Sequence, residues 1–149
     1  MKTKIIIALI IISTLFAWGQ SMIPIPQSEQ ESVTIKELVE EVINTLSHAS
    51  EGEEVELPLA LIRKTAHFVE YFVIGAEWMA LFLDKNNRKW WYALLIGFFT
   101  GFIDETIQLF SGRGSLIGDV YLDSFGAFCG IMITFWILTR CFNKKPKSL

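Results

Sequence analysis

Residues 90–110 read WWYALLIGFFTGFIDETIQLF, from Trp90 to Phe110. The stretch has the ~20 residues a helix needs to cross a bilayer. Its last two turns nevertheless carry Asp104, Glu105 and Gln108. An ionised side chain near the bilayer centre costs roughly 2.5–3.5 kcal/mol on insertion scales, so such residues in an apolar helix call for a shared polar site. The neighbouring segments repeat the pattern. Leu57–Leu83 opens with Arg63, Lys64, His67 and Glu70, and Leu116–Leu138, entered just after Arg113, opens with Asp119 and Asp123. A further apolar stretch runs from Ile5 to Ile23. In lipid the backbone must pair internally, so four such stretches predict four transmembrane helices.

Composition agrees. The chain of 149 residues is 52% apolar, with five Trp and twelve Phe and a mean hydropathy of +0.41, which suits one membrane domain. Cys129 and Cys141 are too few for a disulfide framework. Scattered Lys and Arg leave no nucleic-acid footprint. The expected fold is all-α: an integral membrane bundle of four transmembrane helices with an extracytoplasmic amphipathic helix between spans one and two. Residues 1–23 are the first transmembrane helix and 24–56 an acidic extracytoplasmic loop with a short helix. Residues 57–142 make a three-helix core and 143–149 a basic cytoplasmic tail.

Basic residues orient the bundle. Lys2 and Lys4 precede span one; Lys85, Arg88 and Lys89 link spans two and three; Arg140, Lys144, Lys145 and Lys147 follow span four. All lie on one side of a four-span topology, so both termini are expected in the cytoplasm of a bacterial cell membrane. The opposite side holds Pro24–Glu56, with nine Glu and one Lys. Trp18, Trp78, Trp90 and Trp91 fall near span ends, as interfacial aromatics do. Lys2, Lys4, a short apolar core and Ala17-Trp18-Gly19 also have the layout of a signal peptide. The apolar character continuing to Ile25, and the even span count, favour a retained helix. In the acidic loop, Thr34 with Glu37 predicts a capping box. Ile35, Leu38, Val39, Val42 and Leu46 follow at helical spacing, up to an end at Ser47–Gly52. This helix either lies on the membrane surface or covers the polar site.

Helical phase groups the polar residues. Arg63, His67 and Glu70 share a stripe of span two; Gly97, Gly101, Asp104 and Gln108 share one of span three; Asp119, Asp123, Gly126 and Gly130 share one of span four. Small residues let membrane helices approach closely, so spans three and four are expected to meet at their glycine seams. Every polar residue named falls on the extracytoplasmic side. His67 suits a general acid or base oriented by Glu70 or a facing carboxylate, with Asp104 and Glu105 handling protons and Gln108 orienting substrate or water. Arg63, Lys64 and Arg113 suit a clamp for phosphate or carboxylate, with Asp119 and Asp123 beside them. Three cations against five carboxylates leave acid in excess. The same charges would also serve as pairs that lock the bundle. His67 and Glu70 have the H-x-x-E spacing of a metal pair, and Asp104, Glu105, Asp119 and Asp123 could complete an oxygen-rich shell; one His and no nearby Cys argue against zinc, so no cofactor is expected and a divalent metal is the less favoured reading. There is no G-x-S-x-G, no placed Cys nucleophile and no phosphate loop. Glu77, deeper on span two, is expected to pair with Lys85 or Arg88.

Arg63-Lys64-x-x-His67-Phe68-x-Glu70-Tyr71, then Asp104-Glu105-x-x-Gln108, Arg113, and Asp119-Val120 with Gly126, resemble the VanZ-like family in order and spacing. The resemblance covers about Leu61 to Gly130, and the Ser21–Ser28 stretch resembles the family's exit from span one. Asp123 departs from it, since Asn is the commoner residue there. The resemblance implies a small four-span bacterial membrane protein whose namesake is associated with low-level teicoplanin resistance; it supplies a class and a motif, not a reaction. The leading expectation is action at the outer leaflet on a lipid-linked envelope precursor bearing phosphate or carboxylate, or on a glycopeptide. Membrane lipids are the surroundings and nucleic acid is not a partner. A non-enzymatic envelope binding or scaffolding protein is the alternative, and a transporter the third. Whether a reaction is catalysed stays open on sequence alone.

Overall fold

The computed structural model describes residues 2–47, 56–83, 90–112 and 117–143. Every element among them is a helix: α1 (Lys2–Met22), α2 (Ile25–Ser47), α3 (Leu59–Phe82), α4 (Trp90–Phe110) and α5 (Ile117–Asn143). The basic link with Lys85, Arg88 and Lys89 and the tail with Lys144, Lys145 and Lys147 lie outside the described residues. Three helices are long and apolar enough to cross a membrane: Thr3–Met22, Trp90–Phe110 and Ile117–Arg140. α3 has the length, 24 residues, but Arg63, Lys64, His67, Glu70 and Glu77 dilute its hydropathy. The expected four spans are therefore three by composition.

The helices stop where backbone chemistry stops them. Pro24 cannot extend α1, and its carbonyl instead accepts Gln27 N and Ser28 N, each at 3.1 Å, to open α2. Pro58 does the same for α3 through Leu61 N, 2.8 Å away. Two residues past the end of α4, Gly112 turns the chain with a φ of 76°, a left-handed conformation that glycine adopts without a Cβ penalty. Asp119 in the first turn of α5 and Arg140 in its last complement the helix dipole; Arg140 also stacks 4.1 Å from the Trp136 ring.

α2 departs from the expected start at Thr34. It begins nine residues earlier at Ile25, with Pro26 in the first turn, where its missing N–H is harmless. Thr34 is thus interior, and its Oγ1 donates back to Gln30 O at 3.1 Å rather than capping. Ile35 and Val39 line an open groove against α3, with Ile35, like Leu38 and Val42, exposed. Glu40 joins the two helices by accepting Leu57 N.

α3 is the central helix, packing on α1, α2, α4 and above all α5. Glycine permits this. A Cβ at Gly126 would lie 2.6 Å from the Phe68 carbonyl oxygen, one at Gly130 would collide with the Phe72 carbonyl, and one at Gly75 with the Ala127 backbone. The α5 seam therefore faces α3, not α4 as expected. The α4 seam does face α5, but at Ala127 and Asp123, which approach Gly97 and Gly101. One residue separates Gly126 from Ala127, so neighbouring stripes of α5 serve different partners.

Buried and exposed sides are inverted relative to a soluble protein. Ile12, Leu15, Phe99, Phe102, Phe110, Ile117 and Trp136 are exposed, while Asp104 and Asp123 are wholly buried. Exposed apolar surface on this scale marks contact with something apolar. The apolar interior is two small clusters: Ala17, Tyr71, Ile74 and Ala127, and Met79, Ala93 and Ile131 with Trp78 and Phe135 against them. Glu77 accepts a hydrogen bond from Ser13 of α1 at 2.5 Å; its expected partners Lys85 and Arg88 lie outside the described residues.

Gly130→Val places a branched side chain against the Phe72 carbonyl. Overpacking of this kind costs roughly 1–3 kcal/mol, so the variant is expected to melt well below wild type in detergent. Gly19→Val, with nothing within 4 Å of its would-be Cβ, is expected to melt as wild type.

Candidate functional site

Three helices converge at the end of the bundle where α3 and α5 start and α4 finishes. α3 presents His67 one turn after Arg63, α4 presents Asp104, Glu105 and Gln108, and α5 presents Asp123 one turn after Asp119. His67 Nδ1 lies 3.8 Å from Asp104 Oδ2 and 3.8 Å from Asp123 Oδ1. Both carboxylates are fully buried and the imidazole is partly exposed. Gln108 Nε2 donates to Asp104 Oδ2 at 3.1 Å and to Glu105 Oε1 at 3.0 Å, so one amide holds two neighbouring acids apart and in place. Asp123 accepts no hydrogen bond on either oxygen among the described residues. A buried carboxylate so placed needs a counter-charge to offset the loss of hydration: a proton shared in the cluster, or a cation.

Of the residues predicted from sequence, His67, Asp104, Glu105, Gln108 and Asp123 come together here. Lys64 and Asp119 form a separate pair, 3.9 Å apart and partly exposed. Exposed pairs of this kind contribute little. Glu70 lines the same cavity as His67, but among the described residues it is not in the group whose atoms could hold a metal. That group is His67, Asp104 and Asp123, whose ligand atoms all lie within 4.8 Å of one another. Arg113 lies outside the described residues.

The cavity, of about 160 Å³, opens between α1, α2 and α3 and is lined by Gln20, Glu31, Ser32, Arg63, His67 and Glu70. Arg63 Nε is buried there and donates no hydrogen bond among the described residues. The α1 and α2 contributions were not legible as site residues, although Ser28, Glu31, Ser32 and Ile35 do fall at helical spacing on one face of α2. Beside the cavity, sharing Ile35, Ile62, Ala66 and Glu70 with it, runs an apolar groove of about 470 Å³ between α2 and α3.

A family model described as VanZ/LLP1 matches residues 4–139. The chain belongs to the VanZ/LLP1 family. Among curated proteins and among solved structures nothing matches significantly. The family match extends the motif resemblance at both ends, taking in α1 and nearly all of α5. Within this VanZ/LLP1 chain the motif residues divide by role in the fold. Tyr71, quoted in the motif without a role, donates to Thr100 O at 3.3 Å, and Trp18 Nε1 donates to the same oxygen at 3.3 Å. Thr100 Oγ1 itself returns to Ile96 O at 2.8 Å. A single carbonyl thus ties α1, α3 and α4 together one turn beneath the acidic cluster. Ser111 Oγ, donating to Ser21 O at 2.9 Å, ties the ends of α4 and α1 above it.

Gln108→Leu removes the donor shared by Asp104 and Glu105. Stripping a buried acceptor of its partner costs roughly 1–3 kcal/mol. The variant is expected to lower the melting temperature in detergent, whereas Thr106→Ala, whose hydroxyl only returns to Phe102 O, is expected to leave it nearly unchanged.

Proposed function

We propose that this VanZ/LLP1 protein is a four-span membrane protein that binds an anionic envelope component at the outer leaflet, through the cavity between α1, α2 and α3. Arg63 carries the reading: the residue lines the cavity, its buried Nε has no acceptor among the described residues, and a phosphate or carboxylate against the guanidinium supplies one. α3 is the fourth span in this reading. Its charges are tolerated because they face the cavity and the acidic cluster rather than lipid, and packing on four other helices leaves it no place outside the bundle. The adjoining apolar groove favours a lipid-linked ligand over a free one, since a single amphiphile would fill both spaces. α2, with its acidic polar face and exposed Leu38 and Val42, lies on the outer side as a cover. α1 is a retained helix: Ala17, Ser13 and Trp18 all contact the other helices.

Chemistry at the site, where it occurs, would be proton transfer by His67 with Asp104 and Glu105. In the rival reading the same charges only hold the fold and the protein scaffolds or binds without turnover; the Gln108 clasp favours that reading for Glu105 and Asp104. Beneath the cluster, Ile74, Met79, Ala93 and Ile131 are buried, which counts against a transport path. A contribution to glycopeptide tolerance belongs to this proposal through the family resemblance alone.

Native mass spectrometry of the detergent-purified protein tests the binding. Wild type is expected to retain an anionic lipid that Arg63→Gln loses, with both variants melting within a few degrees of each other. Equal retention would remove the Arg63 assignment. For topology, Leu38→Cys in a Cys129→Ser, Cys141→Ser background is expected to react with a membrane-impermeant maleimide added to intact cells. Protection until lysis would put α2 inside and overturn the orientation.

A further inference from the structure

We propose that His67, Asp104 and Asp123 form a binding site for one divalent first-row transition-metal ion, of the Zn2+ or Mn2+ kind. The inference goes beyond the anion-binding reading and stands without it.

The distances are those of ligands rather than of a hydrogen-bonded triad. His67 Nδ1 is 3.8 Å from one oxygen of each aspartate, too far for a hydrogen bond, whose N···O separation is about 2.7–3.2 Å. Two atoms each about 2.1 Å from a shared ion stand about 3.4 Å apart at the tetrahedral angle and about 4.2 Å apart when opposite. The observed value falls between. All three candidate ligand atoms lie within 4.8 Å of one another, so a small torsional adjustment of either aspartate closes the remaining edge.

Asp123 supplies a second, independent pointer. It is 0% exposed, and neither of its carboxylate oxygens accepts a hydrogen bond among the described residues. It faces His67 across the gap that an ion would fill. Gln108 meanwhile holds Asp104 by a hydrogen bond to the same oxygen that faces His67, the support that ligating carboxylates characteristically receive from an outer shell. One imidazole nitrogen and two carboxylate oxygens, without thiolate, suit Zn2+ or Mn2+ better than a soft ion, and better than Ca2+, which prefers six or more oxygens. Three protein ligands leave positions open for water or an incoming oxygen, as catalytic zinc sites do. His67 also lines the cavity, which provides an entry path. Each ligand comes from a different helix, so the ion would also cross-link α3, α4 and α5.

The test uses the full chain, purified in detergent with chelator present and then titrated separately with Zn2+ and with Mn2+ while elemental analysis counts the bound ions. Wild type is expected to take up one ion per chain and to melt higher when loaded. Asp123→Asn and His67→Ala are expected to bind at least about tenfold more weakly, while Glu41→Gln on the exposed face of α2 binds as wild type. Bound Mn2+ should show 14N coupling in its electron spin-echo spectrum, and His67→Ala should abolish it. No stoichiometric uptake by wild type, or uptake indifferent to both substitutions, would overturn the site. Should Asp123→Asn fail to fold, the wild-type 14N signal decides alone, and its absence rejects the proposal. Because no anionic ligand enters this experiment, its result is separable from the Arg63→Gln lipid measurement.

Discussion

Glycine at 75, 126 and 130 lets the α3 and α5 backbones approach so closely that any Cβ would intrude on a carbonyl or the chain opposite. This contact fixes the rest. In a membrane, lipid tails are as apolar as the side chains, so close van der Waals packing, not hydrophobic burial, favours helix association. The α3–α5 crossing brings His67 and Asp123 face to face one turn beyond the last glycine contact. It also turns Ala127 and Asp123 toward α4, where Gly97 and Gly101 receive them. The acidic cluster is the polar continuation of a packing seam.

That geometry makes the polar end costly. Two fully buried aspartates lose their hydration, and only His67, at the cavity wall, keeps partial access to solvent. Their stability depends on shared protons, on a cation, or on ligands reached through the cavity. The fold contains the cost by surrounding the cluster with polar ties of modest strength. Gln108 spans Asp104 and Glu105, the Thr100 carbonyl receives both Tyr71 and Trp18, and Ser111 reaches Ser21. Each such bond contributes on the order of 1 kcal/mol, less than the desolvation they surround. The cluster is better read as a site maintained at some expense than as a source of stability.

Much of this was legible in the residues, and the limits have physical causes. α4 was read to the residue because the basic link before Trp90 and the Ser111-Gly112 turn after Phe110 bound the apolar run. The polar stripes of α3, α4 and α5 were legible because helical phase alone places His67, Asp104, Gln108 and Asp123 on inward faces. Partner choice was not. Gly126 and Ala127 differ by one position, and phase cannot say which of two adjacent stripes meets which helix. The start of α2 was misread because Thr34 with Glu37 fits a capping box equally well in mid-helix, where a threonine hydroxyl folds back on the carbonyl four residues earlier. The Ser13 bond to Glu77 was not foreseen, because it comes from α1, far away in the chain. The cavity was invisible for a similar reason, since its walls come from α1 and α2, whose small polar residues carry no signal until the helices are placed against α3.

The two spaces flanking Glu70 connect the membrane setting to recognition. The polar cavity and the apolar groove share Ile35, Ile62, Ala66 and Glu70, so a molecule occupying both must change from polar to apolar within the width of one helix. An amphiphile at a membrane surface makes that change; a soluble anion does not. α2 forms the outer wall of both spaces and is attached to α3 with few contacts, among them the Glu40 carboxylate at Leu57 N. Of the five helices it is the one whose displacement would open the site without disturbing the glycine-packed core. In the amphiphile reading proposed above, selectivity for headgroup and chain would be set by α2, and the fixed electrostatics by α3, α4 and α5.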